Sequence, residues 1–312
     1  MPLICFASPN GGVGRTTLAA NVARELTRMG ARVIALDADP QNALGMHFGL
    51  DLRDGFGFLA TLRYAADARA AWRAAMRSSP SGVSFLPFGQ LGMDGANAVN
   101  AALLERPEML SSAVADMLSV SGVTVVADFP AGPSASLAAL LRLTDLLVVP
   151  LLPTASSVAQ VPAIEGGRFA GVGAGAAAYL PAEKLRFVIN QWGMPGKLAG
   201  PIAQGASQQL AGRLLGAVRH DEAVPEACAA QRLLGDFAPA SAAAADMAGL
   251  TGAIVAQIEA QHVSRSGDAH SSSATNAAAN TRSQQLRNAH GLISLAEIHH
   301  KPRETVAQKA HR

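Results

Sequence analysis

A glycine-rich loop near the start of the chain constrains the possible folds more than any other feature. The apolar run 3–7 leads into the segment Ser8-Pro9-Asn10-Gly11-Gly12-Val13-Gly14-Arg15-Thr16-Thr17, and a helical pattern follows it. A strand, a glycine-rich loop and a helix in this order are typical of a phosphate-binding loop, because the glycines and the helix N-terminus turn N–H groups towards an anion. Thr16 is placed to offer its hydroxyl to Mg²⁺, and Thr17 to offer a further phosphate contact. The alternative is an ordinary glycine-rich turn between a strand and a helix.

Short apolar runs alternate with helical patterns along residues 1–261. The predicted strands are 3–7, 32–37, 83–87, 123–128, 146–151, 185–190 and 214–218. The predicted helices are 15–29, 67–78, 100–119, 134–144, 155–169, 203–212, 222–231 and 241–261. This alternation predicts an α/β fold, with a mostly parallel, twisted sheet of about seven strands and helices on both faces. Ligands of such sheets bind at the carboxyl ends of the strands.

The composition changes near residue 262. Residues 262–312 hold seven basic and three acidic side chains, whereas residues 1–261 hold 18 basic and 20 acidic ones. Ser, Asn, Ala, Gln and His dominate the segment 264–290, which predicts disorder. We therefore expect a nucleotide-binding domain over 1–261 and a polar, disordered tail over 262–312. The slightly acidic body argues against broad DNA binding, since such affinity depends on neutralising phosphates.

Cysteine content and hydropathy exclude several classes of protein. Cys5 and Cys228 are the two cysteines, too few for a cysteine-based zinc or iron–sulfur site within one chain, and they suit a reducing cytosol. No stretch reaches about 18 uninterrupted apolar residues. The N-terminus lacks the basic and apolar pattern of a signal peptide. The sequence therefore predicts a cytoplasmic protein.

Two further predicted strands end in aspartate. The run 32–37 leads into Asp37-Ala38-Asp39-Pro40-Gln41, and the run 123–128 leads into Asp128-Phe129-Pro130-Ala131-Gly132. An apolar strand that ends in Asp is typical of the Mg²⁺ site beside a phosphate-binding loop. Asp37 and Asp128 therefore join Thr16 as candidate metal ligands. The alternative is that both are solvated aspartates at strand ends.

The glycine-rich loop resembles the deviant P-loop of the ParA/MinD family of ATPases, which reads x-Lys-Gly-Gly-x-Gly-Lys-Thr. The resemblance implies a P-loop NTPase fold with ATP and Mg²⁺ as cofactors. It implies that the nucleotide is held by Asn10, Gly11, Gly12, Val13, Gly14, Arg15, Thr16 and Thr17.

Three later segments also match the family. The Asp-x-Asp-Pro-Gln segment resembles switch I, whose second aspartate positions the attacking water in relatives, so Asp39 is a candidate catalytic residue. Asn190 stands where the family often reads the adenine edge, although an asparagine there could instead cap a turn. The segment 219–222 resembles the loop that covers the base.

The P-loop departs from the family pattern at three positions. Pro9 stands where the generic P-loop has its first glycine, and Asn10 replaces the signature lysine that reaches the partner's phosphates in an ATP-sandwich dimer. Arg15 replaces the ordinary P-loop lysine and remains a catalytic candidate, but its planar fork is not interchangeable with an ammonium. Since charge stabilisation dominates phosphoryl transfer, we expect nucleotide binding to survive while hydrolysis is slow, or absent without a partner.

Several stretches over residues 2–260 resemble the BcsQ (YhjQ) family of bacterial cellulose-synthesis operons. The matching segments are Phe85-Leu86-Pro87-Phe88-Gly89-Gln90-Leu91, 213–223, 226–228 and Gly235-Asp236-Phe237-Ala238-Pro239. The resemblance implies an ATP-dependent homodimer that supports assembly, placement or regulation of the inner-membrane cellulose synthase. It further implies small operon-encoded partners, peripheral recruitment to the inner membrane or cell pole through partners, and no specific nucleic acid.

Two other functions compete with this hypothesis. One is a ParA/MinD-like positioning ATPase that acts on chromosome, plasmid or cell-pole cargo, which needs a basic face or an anchoring helix. The other is an enzyme that transfers a phosphoryl group to a small molecule. Beyond the nucleotide site, the sequence shows no group of residues that would bind such a small-molecule substrate.

Overall fold

The structure is a computed structural model that describes residues 2–51, 53–65, 67–167 and 181–263. Contacts between residues divide the chain into two units, Met1–Glu259 and Ala260–Arg312. The first unit contains the whole sheet, and in the second unit residues 260–263 are helical. The disorder predicted for the tail falls on residues 264–290, which lie outside the described residues. No helix in the described ranges is long and apolar enough to cross a membrane.

The first unit is built on a single eight-stranded sheet. The strands are β1 (Leu3–Ser8), β2 (Arg32–Asp37), β3 (Arg77–Ser78), β4 (Ser84–Leu86), β5 (Val123–Ala131), β6 (Leu146–Leu151), β7 (Leu185–Trp192) and β8 (Leu214–Arg219). Their order across the sheet is β3-β4-β2-β5-β1-β6-β7-β8. Every neighbouring pair is parallel except β3 and β4. The predicted α/β class and the mostly parallel sheet are confirmed.

Helices connect the strands and cover the sheet. They are α1 (Arg15–Arg28), α2 (Leu44–His47), α3 (Phe58–Leu62), α4 (Ala68–Ala75), α5 (Met93–Glu105), α6 (Glu108–Ser119), α7 (Ala135–Leu140), α8 (Ala155–Val158), α9 (Val161–Glu165), α10 (Ala199–Leu210), α11 (Ala223–Ala229) and α12 (Leu234–Phe237). Short 3₁₀ turns lie at Ala182–Lys184 and Ala211–Arg213. Residues 242–259 form the last helical stretch of the first unit.

Most of the core lies in two apolar layers, one on each face of the sheet, and a small third cluster is formed by Ile189, Ala203 and Ala206. Side chains alternate along β1, so that Leu3 and Cys5 enter one layer while Ile4 and Phe6 enter the other. The first layer receives side chains from α5, α6 and α7, and the second receives them from α1 and from residues 242–259. Both faces are therefore shielded from water, which explains why the central strands are almost continuously apolar.

The sheet has one strand more than the seven predicted. The prediction of a helix over 67–78 is wrong at its end, because the helix stops at Ala75 and Arg77–Ser78 pair with β4 as an antiparallel edge strand. Met76 has an extended backbone, and the guanidinium of Arg77 lies 3.2 Å from the Asp54 carboxylate.

Other helix boundaries also differ from the predictions. The predicted helix 100–119 is two helices, α5 and α6, because Arg106 precedes Pro107 and a proline disfavours helical geometry in the residue before it. The predicted helix 155–169 is divided into α8 and α9 up to Glu165, and residues 168 and 169 lie outside the described residues. The short helices α2, α3 and α12 were not predicted, since four or five residues carry too little periodicity.

Candidate functional site

The glycine-rich loop follows β1, a strand in the middle of the sheet. It connects β1 to α1, and β1 pairs with β5 on one side and β6 on the other. Gly12 and Gly14 have φ angles of 71° and 84°, in the left-handed region that favours glycine. Ser8 stabilises the entry to the loop, because its hydroxyl accepts a 3.2 Å hydrogen bond from the Asn10 N–H. The local sequence thus produces the strand, loop and helix geometry of a P-loop.

Thr16, in the first turn of α1, joins the loop to the end of β5. Its hydroxyl donates a 2.6 Å hydrogen bond to Oδ2 of Asp128. The other carboxylate oxygen, Oδ1, is buried and has no hydrogen-bond partner within the described ranges. Burial raises the pKa of Asp128 to about 7, although the Thr16 bond and the charge of Arg15 oppose that rise. Asp128 therefore offers an unused oxygen at the base of the loop.

Asp37 lies beside Asp128 because the two residues are paired in register on β2 and β5. Both of its oxygens accept backbone hydrogen bonds, one from the Asp39 N–H at 3.0 Å and one from the Leu44 N–H at 2.9 Å. Burial and the nearby Asp128 carboxylate raise the pKa of Asp37 well above its usual range. In this structure Asp37 shapes the turn after β2 and fixes the start of α2.

Arg15 folds back across the loop that precedes it. Its Nη1 donates a 2.9 Å hydrogen bond to the carbonyl oxygen of Asn10, and its Nη2 lies 3.8 Å from Oδ2 of Asp39. The side chains of Arg15 and Asp39 are only 8% and 7% exposed. The other oxygen of Asp39 accepts a 2.9 Å bond from the Gln41 N–H. The two catalytic candidates therefore form a buried ion pair.

The donor set at the base of the loop fits Mg²⁺. This ion prefers oxygen ligands and is usually held by one or two carboxylates together with substrate phosphates and water. Thr16 supplies a hydroxyl and Asp128 the unpartnered carboxylate oxygen described above. Within the described ranges no group of three or more His, Cys, Asp or Glu side chains is arranged to hold a metal by itself. The arrangement therefore suits a metal that arrives with a phosphate ligand.

A cleft of about 540 Å³ opens beside the first turn of α1; we refer to it as the α1–α11 cleft. Its lining residues are Gly14, Thr17, Met46, Asn190, Gln191, Val218, Arg219, His220, Asp221, Val224, Pro225, Cys228, Ala229 and Met247. Mostly apolar walls with a few polar groups are typical of small-molecule sites. The segment 219–222, which the sequence suggested as a base-covering loop, contributes three of these residues.

Asn190 contacts the P-loop and also lines the cleft. Its Nδ2 donates a 2.9 Å hydrogen bond to the carbonyl oxygen of Val13. Met46, Pro225 and Cys228 were not identified from the sequence. Met46 comes shortly after switch I, and that proximity in the sequence was the one available signal. Pro225 and Cys228 reach the cleft only through the packing of α11.

Most of the predicted site residues fall into two groups, while the carbonyl oxygens of Asn10 and Val13 accept the bonds from Arg15 and Asn190 described above. Gly14, Thr17 and Asn190 line the α1–α11 cleft. The side chains beneath the loop are Arg15, Thr16, Asp37, Asp39 and Asp128, and they are joined by the contacts described above. Gly11 and Gly12 are exposed at the mouth of the site.

The fold belongs to the ParA/MinD class of P-loop ATPases. The structure of the septum site-determining protein MinD with Mg-ADP from Pyrococcus horikoshii OT3 superimposes with a TM-score of 0.64 at 20% identity, covering 80% of this chain and 94% of that one. An ATP complex of a McdA variant from Cyanothece superimposes with a TM-score of 0.64 at 17% identity, covering 81% and 95%. At these identities the likeness establishes the fold.

Within that class, residues 1–165 match the family model described as cellulose biosynthesis protein BcsQ, and the chain belongs to the BcsQ family. Cellulose biosynthesis protein BcsQ of Salmonella typhi is 36% identical over 91 residues, which are 29% of this chain and 35% of that protein. The uncharacterized ATP-binding protein MJ0169 of Methanocaldococcus jannaschii is 31% identical over 157 residues. The matched segment spans about half the length of MJ0169, 55%, and 35% of the length of the Salmonella typhi protein.

Proposed function

We propose that this protein binds ATP with Mg²⁺ at the P-loop and acts as an accessory protein of bacterial cellulose biosynthesis. The bond from Thr16 to Asp128 carries the proposal, because it aims a hydroxyl and an unpartnered carboxylate oxygen at the base of a glycine-rich loop. Bound Mg²⁺ supplies positive charge against the phosphates. The membership of the chain in the BcsQ family supports the link to cellulose biosynthesis.

Different residues of the site bind the phosphates, the nucleoside and the metal. The N–H groups of residues 10–17 surround the phosphates, and the positive end of the α1 dipole favours their charge. The apolar walls of the α1–α11 cleft hold the nucleoside, with Asn190 facing the base. Thr16, Asp128 and Asp37 form the metal environment, and Asp39 orients the attacking water.

Thermal unfolding tests nucleotide binding directly. A ligand at 100 times its dissociation constant stabilises the folded state by about 2.7 kcal/mol. For a domain of this size, each kcal/mol raises Tm by about 2–4 °C. We therefore expect ATP with Mg²⁺ to raise Tm by about 5–10 °C, and Thr16→Ala to reduce that shift sharply. An unchanged Tm at millimolar ATP would contradict the proposed binding of ATP.

We expect hydrolysis by this protein to be slow, or absent without a partner. Asn10 supplies no charge to the transition state, and the planar guanidinium of Arg15 is not interchangeable with the compact ammonium of the lysine in the family pattern. The double variant Asn10→Lys with Arg15→Lys restores the two lysines of the family pattern. We expect it to hydrolyse ATP faster than the wild type, with both proteins binding ATP tightly. Equal turnover would show that these two substitutions do not limit the rate.

ATP binding joins two chains into a homodimer that recruits cellulose-synthase components and small operon-encoded partners. Residues 1–261 act as the nucleotide-binding domain and 262–312 as a separate tail. The protein is cytoplasmic and reaches the inner membrane or the cell pole through these partners. Light scattering should give twice the mass of the chain with ATP and Mg²⁺ present, and an unchanged mass would remove the gating role of ATP.

A second candidate is a positioning ATPase that acts on chromosome, plasmid or cell-pole cargo. A segment of 52 residues is 42% identical to maintenance of carboxysome distribution protein A of Synechococcus elongatus, which favours this alternative. Residues 1–261 carry 18 basic and 20 acidic side chains, which disfavours a DNA-binding surface. A salt-sensitive gel shift of duplex DNA in the presence of ATP would support the second candidate over the first.

A further inference from the structure

The two terminal nitrogens of the Arg15 guanidinium contact two different segments of the site. One terminal nitrogen of the guanidinium bonds the Asn10 carbonyl oxygen at 2.9 Å, and the other lies 3.8 Å from the Asp39 carboxylate. A guanidinium presents several donors in a fixed, planar fork, whereas an ammonium is a single compact point charge. Arg15 therefore connects the start of the P-loop to switch I through one rigid group.

The charges around Arg15 explain why it adopts this position. Asp37 and Asp128, in β2 and β5, and Asp39, just after β2, are all buried, and among the described residues Arg15 is the buried Lys or Arg side chain. A buried charge is costly unless it is paired, so the guanidinium and the carboxylates hold one another in place. The pairing is nevertheless incomplete, because Arg15 Nε is buried and has no hydrogen-bond partner in the part of the chain that the structure describes.

We propose that Arg15 is a phosphate-sensing positioning residue, which ties Asn10 to Asp39 without nucleotide and releases Asp39 when the terminal phosphate of ATP draws its guanidinium away. The inference rests on the proposed binding of ATP at this loop. A triphosphate enclosed by residues 10–17 carries more negative charge than one carboxylate, and a guanidinium matches phosphate geometry with two parallel hydrogen bonds. The contact between Arg15 and Asp39 of switch I thus depends on whether the terminal phosphate is bound.

The released Asp39 is linked to both parts of the site. Its backbone N–H bonds Asp37, whose second oxygen bonds the Leu44 N–H at the start of α2. Met46, on the same short helix, lines the α1–α11 cleft. These bonds connect Asp39 to the segment that borders the α1–α11 cleft. A nucleotide without the terminal phosphate exerts a weaker pull on Arg15.

Binding of AMPPNP with Mg²⁺, measured by calorimetry, tests the proposal independently of hydrolysis. Four proteins are compared: the wild type, Asp39→Asn, Arg15→Gln and the variant with both changes. We expect Asp39→Asn to tighten AMPPNP binding about tenfold in the presence of Arg15, because the phosphate then no longer competes with the Asp39 carboxylate for the guanidinium. A tenfold change in affinity corresponds to about 1.4 kcal/mol. In the Arg15→Gln protein the same change should alter the affinity less than threefold, and with ADP the tenfold gain should shrink.

Simple charge repulsion makes the opposite prediction. If Asp39 only repels the phosphates, removing its charge raises the affinity for AMPPNP most when no guanidinium screens that charge. The increase in affinity would then be larger in the Arg15→Gln protein. That result, or equal gains in both backgrounds, overturns the sensing role but leaves ATP binding intact. Absence of AMPPNP binding in all four proteins instead refutes the proposed function. If Arg15→Gln does not fold, Arg15→Met replaces it as an uncharged side chain, and a gain as large as that seen with Arg15 overturns the proposal.

Discussion

Asn190 Nδ2 lies 2.9 Å from the carbonyl oxygen of Val13 and donates a hydrogen bond that joins the end of β7 to the P-loop. Asn190 is only 8% exposed, so this bond is formed away from bulk water. Because the amide nitrogen is bonded to Val13, we expect the side-chain oxygen Oδ1 to be the atom available to a base in the α1–α11 cleft. An acceptor there would favour adenine, whose 6-amino group donates, over guanine, whose O6 accepts.

Replacing Asn190 should therefore affect both stability and base selection. We expect Asn190→Ala to lower the free energy of unfolding by about 1–3 kcal/mol, because the Val13 carbonyl loses its side-chain donor. Asn190→Asp keeps the shape but replaces the donor with an oxygen, so it should destabilise the protein as well. Urea unfolding measures the first effect, and competition between ATP and GTP measures the second. Wild-type stability in both variants would refute the structural role of the bond.

Gly14 offers a second test of the same contact. A Cβ at Gly14 would lie 2.2 Å from Asn190 Nδ2, and its φ of 84° is strained for any other residue. Gly12 has a similar φ of 71° but no atom within 4 Å of an added Cβ. We expect Gly12→Ala to cost about 1–2 kcal/mol for the left-handed backbone alone. Gly14→Ala should cost clearly more in the same urea titration, and equal costs would show that Asn190 moves freely aside.

His47 makes the stability of the fold dependent on pH. Burial lowers its pKa to about 4 from an ordinary value of 6.5. The unfolded chain therefore binds a proton below pH 6.5 that the folded protein takes up only near pH 4, and stability falls as the pH drops through this window. At 1.36 kcal/mol for each pKa unit, this loss amounts to about 3 kcal/mol.

The His47→Gln variant isolates this effect from other titrating groups. The raised pKa values of Asp37 and Asp128 act in the opposite direction, because the folded protein then binds protons more readily than the unfolded chain. We expect the difference in unfolding free energy between wild type and His47→Gln to shrink between pH 7 and pH 4. A difference that stays constant between pH 7 and pH 4 would contradict the prediction.

Asp236 connects α12 to two distant segments. Its carboxylate accepts bonds from Arg24 on α1 and from the Ser81 hydroxyl at 2.6 Å. Asp236→Asn should destabilise the protein by about 1–3 kcal/mol, since hydrogen bonds to charged groups are stronger than neutral ones. Arg69→Gln, which removes an exposed partner 3.6 Å from Asp116, should cost less than about 1 kcal/mol. Chemical denaturation compares the two, and equal effects would show that Asp236 does not tie these segments together.

The sequence predicted the parts of the site that depend on local pattern. Gly12, Gly14 and Thr16 lie within one strand–loop–helix unit, so their spacing alone determines their arrangement. Asp128 comes 112 residues after Thr16, but both follow from one rule, because the carboxyl ends of parallel strands meet at one edge of the sheet.

Features that depend on tertiary packing could not be predicted. The contact between Arg15 and Asp39 requires the actual side-chain conformation, and the place of Cys228 in the cleft requires the docking of α11. The edge strand Arg77–Ser78 depends on pairing with β4 and on Asp54, neither of which a helical pattern reveals. The break between α5 and α6 could have been predicted, since Pro107 signals it directly.

The central claim is that Thr16 and Asp128 hold the metal of a bound nucleotide at the P-loop. Calorimetric titration of ATP into the wild type and Asp128→Asn, each with Mg²⁺ and with EDTA, tests it most directly. We predict one ATP for each wild-type chain, with an affinity at least tenfold higher with Mg²⁺ than with EDTA, and a much smaller difference for Asp128→Asn. Binding that is absent, or equally tight with EDTA and unaffected by Asp128→Asn, would contradict the account.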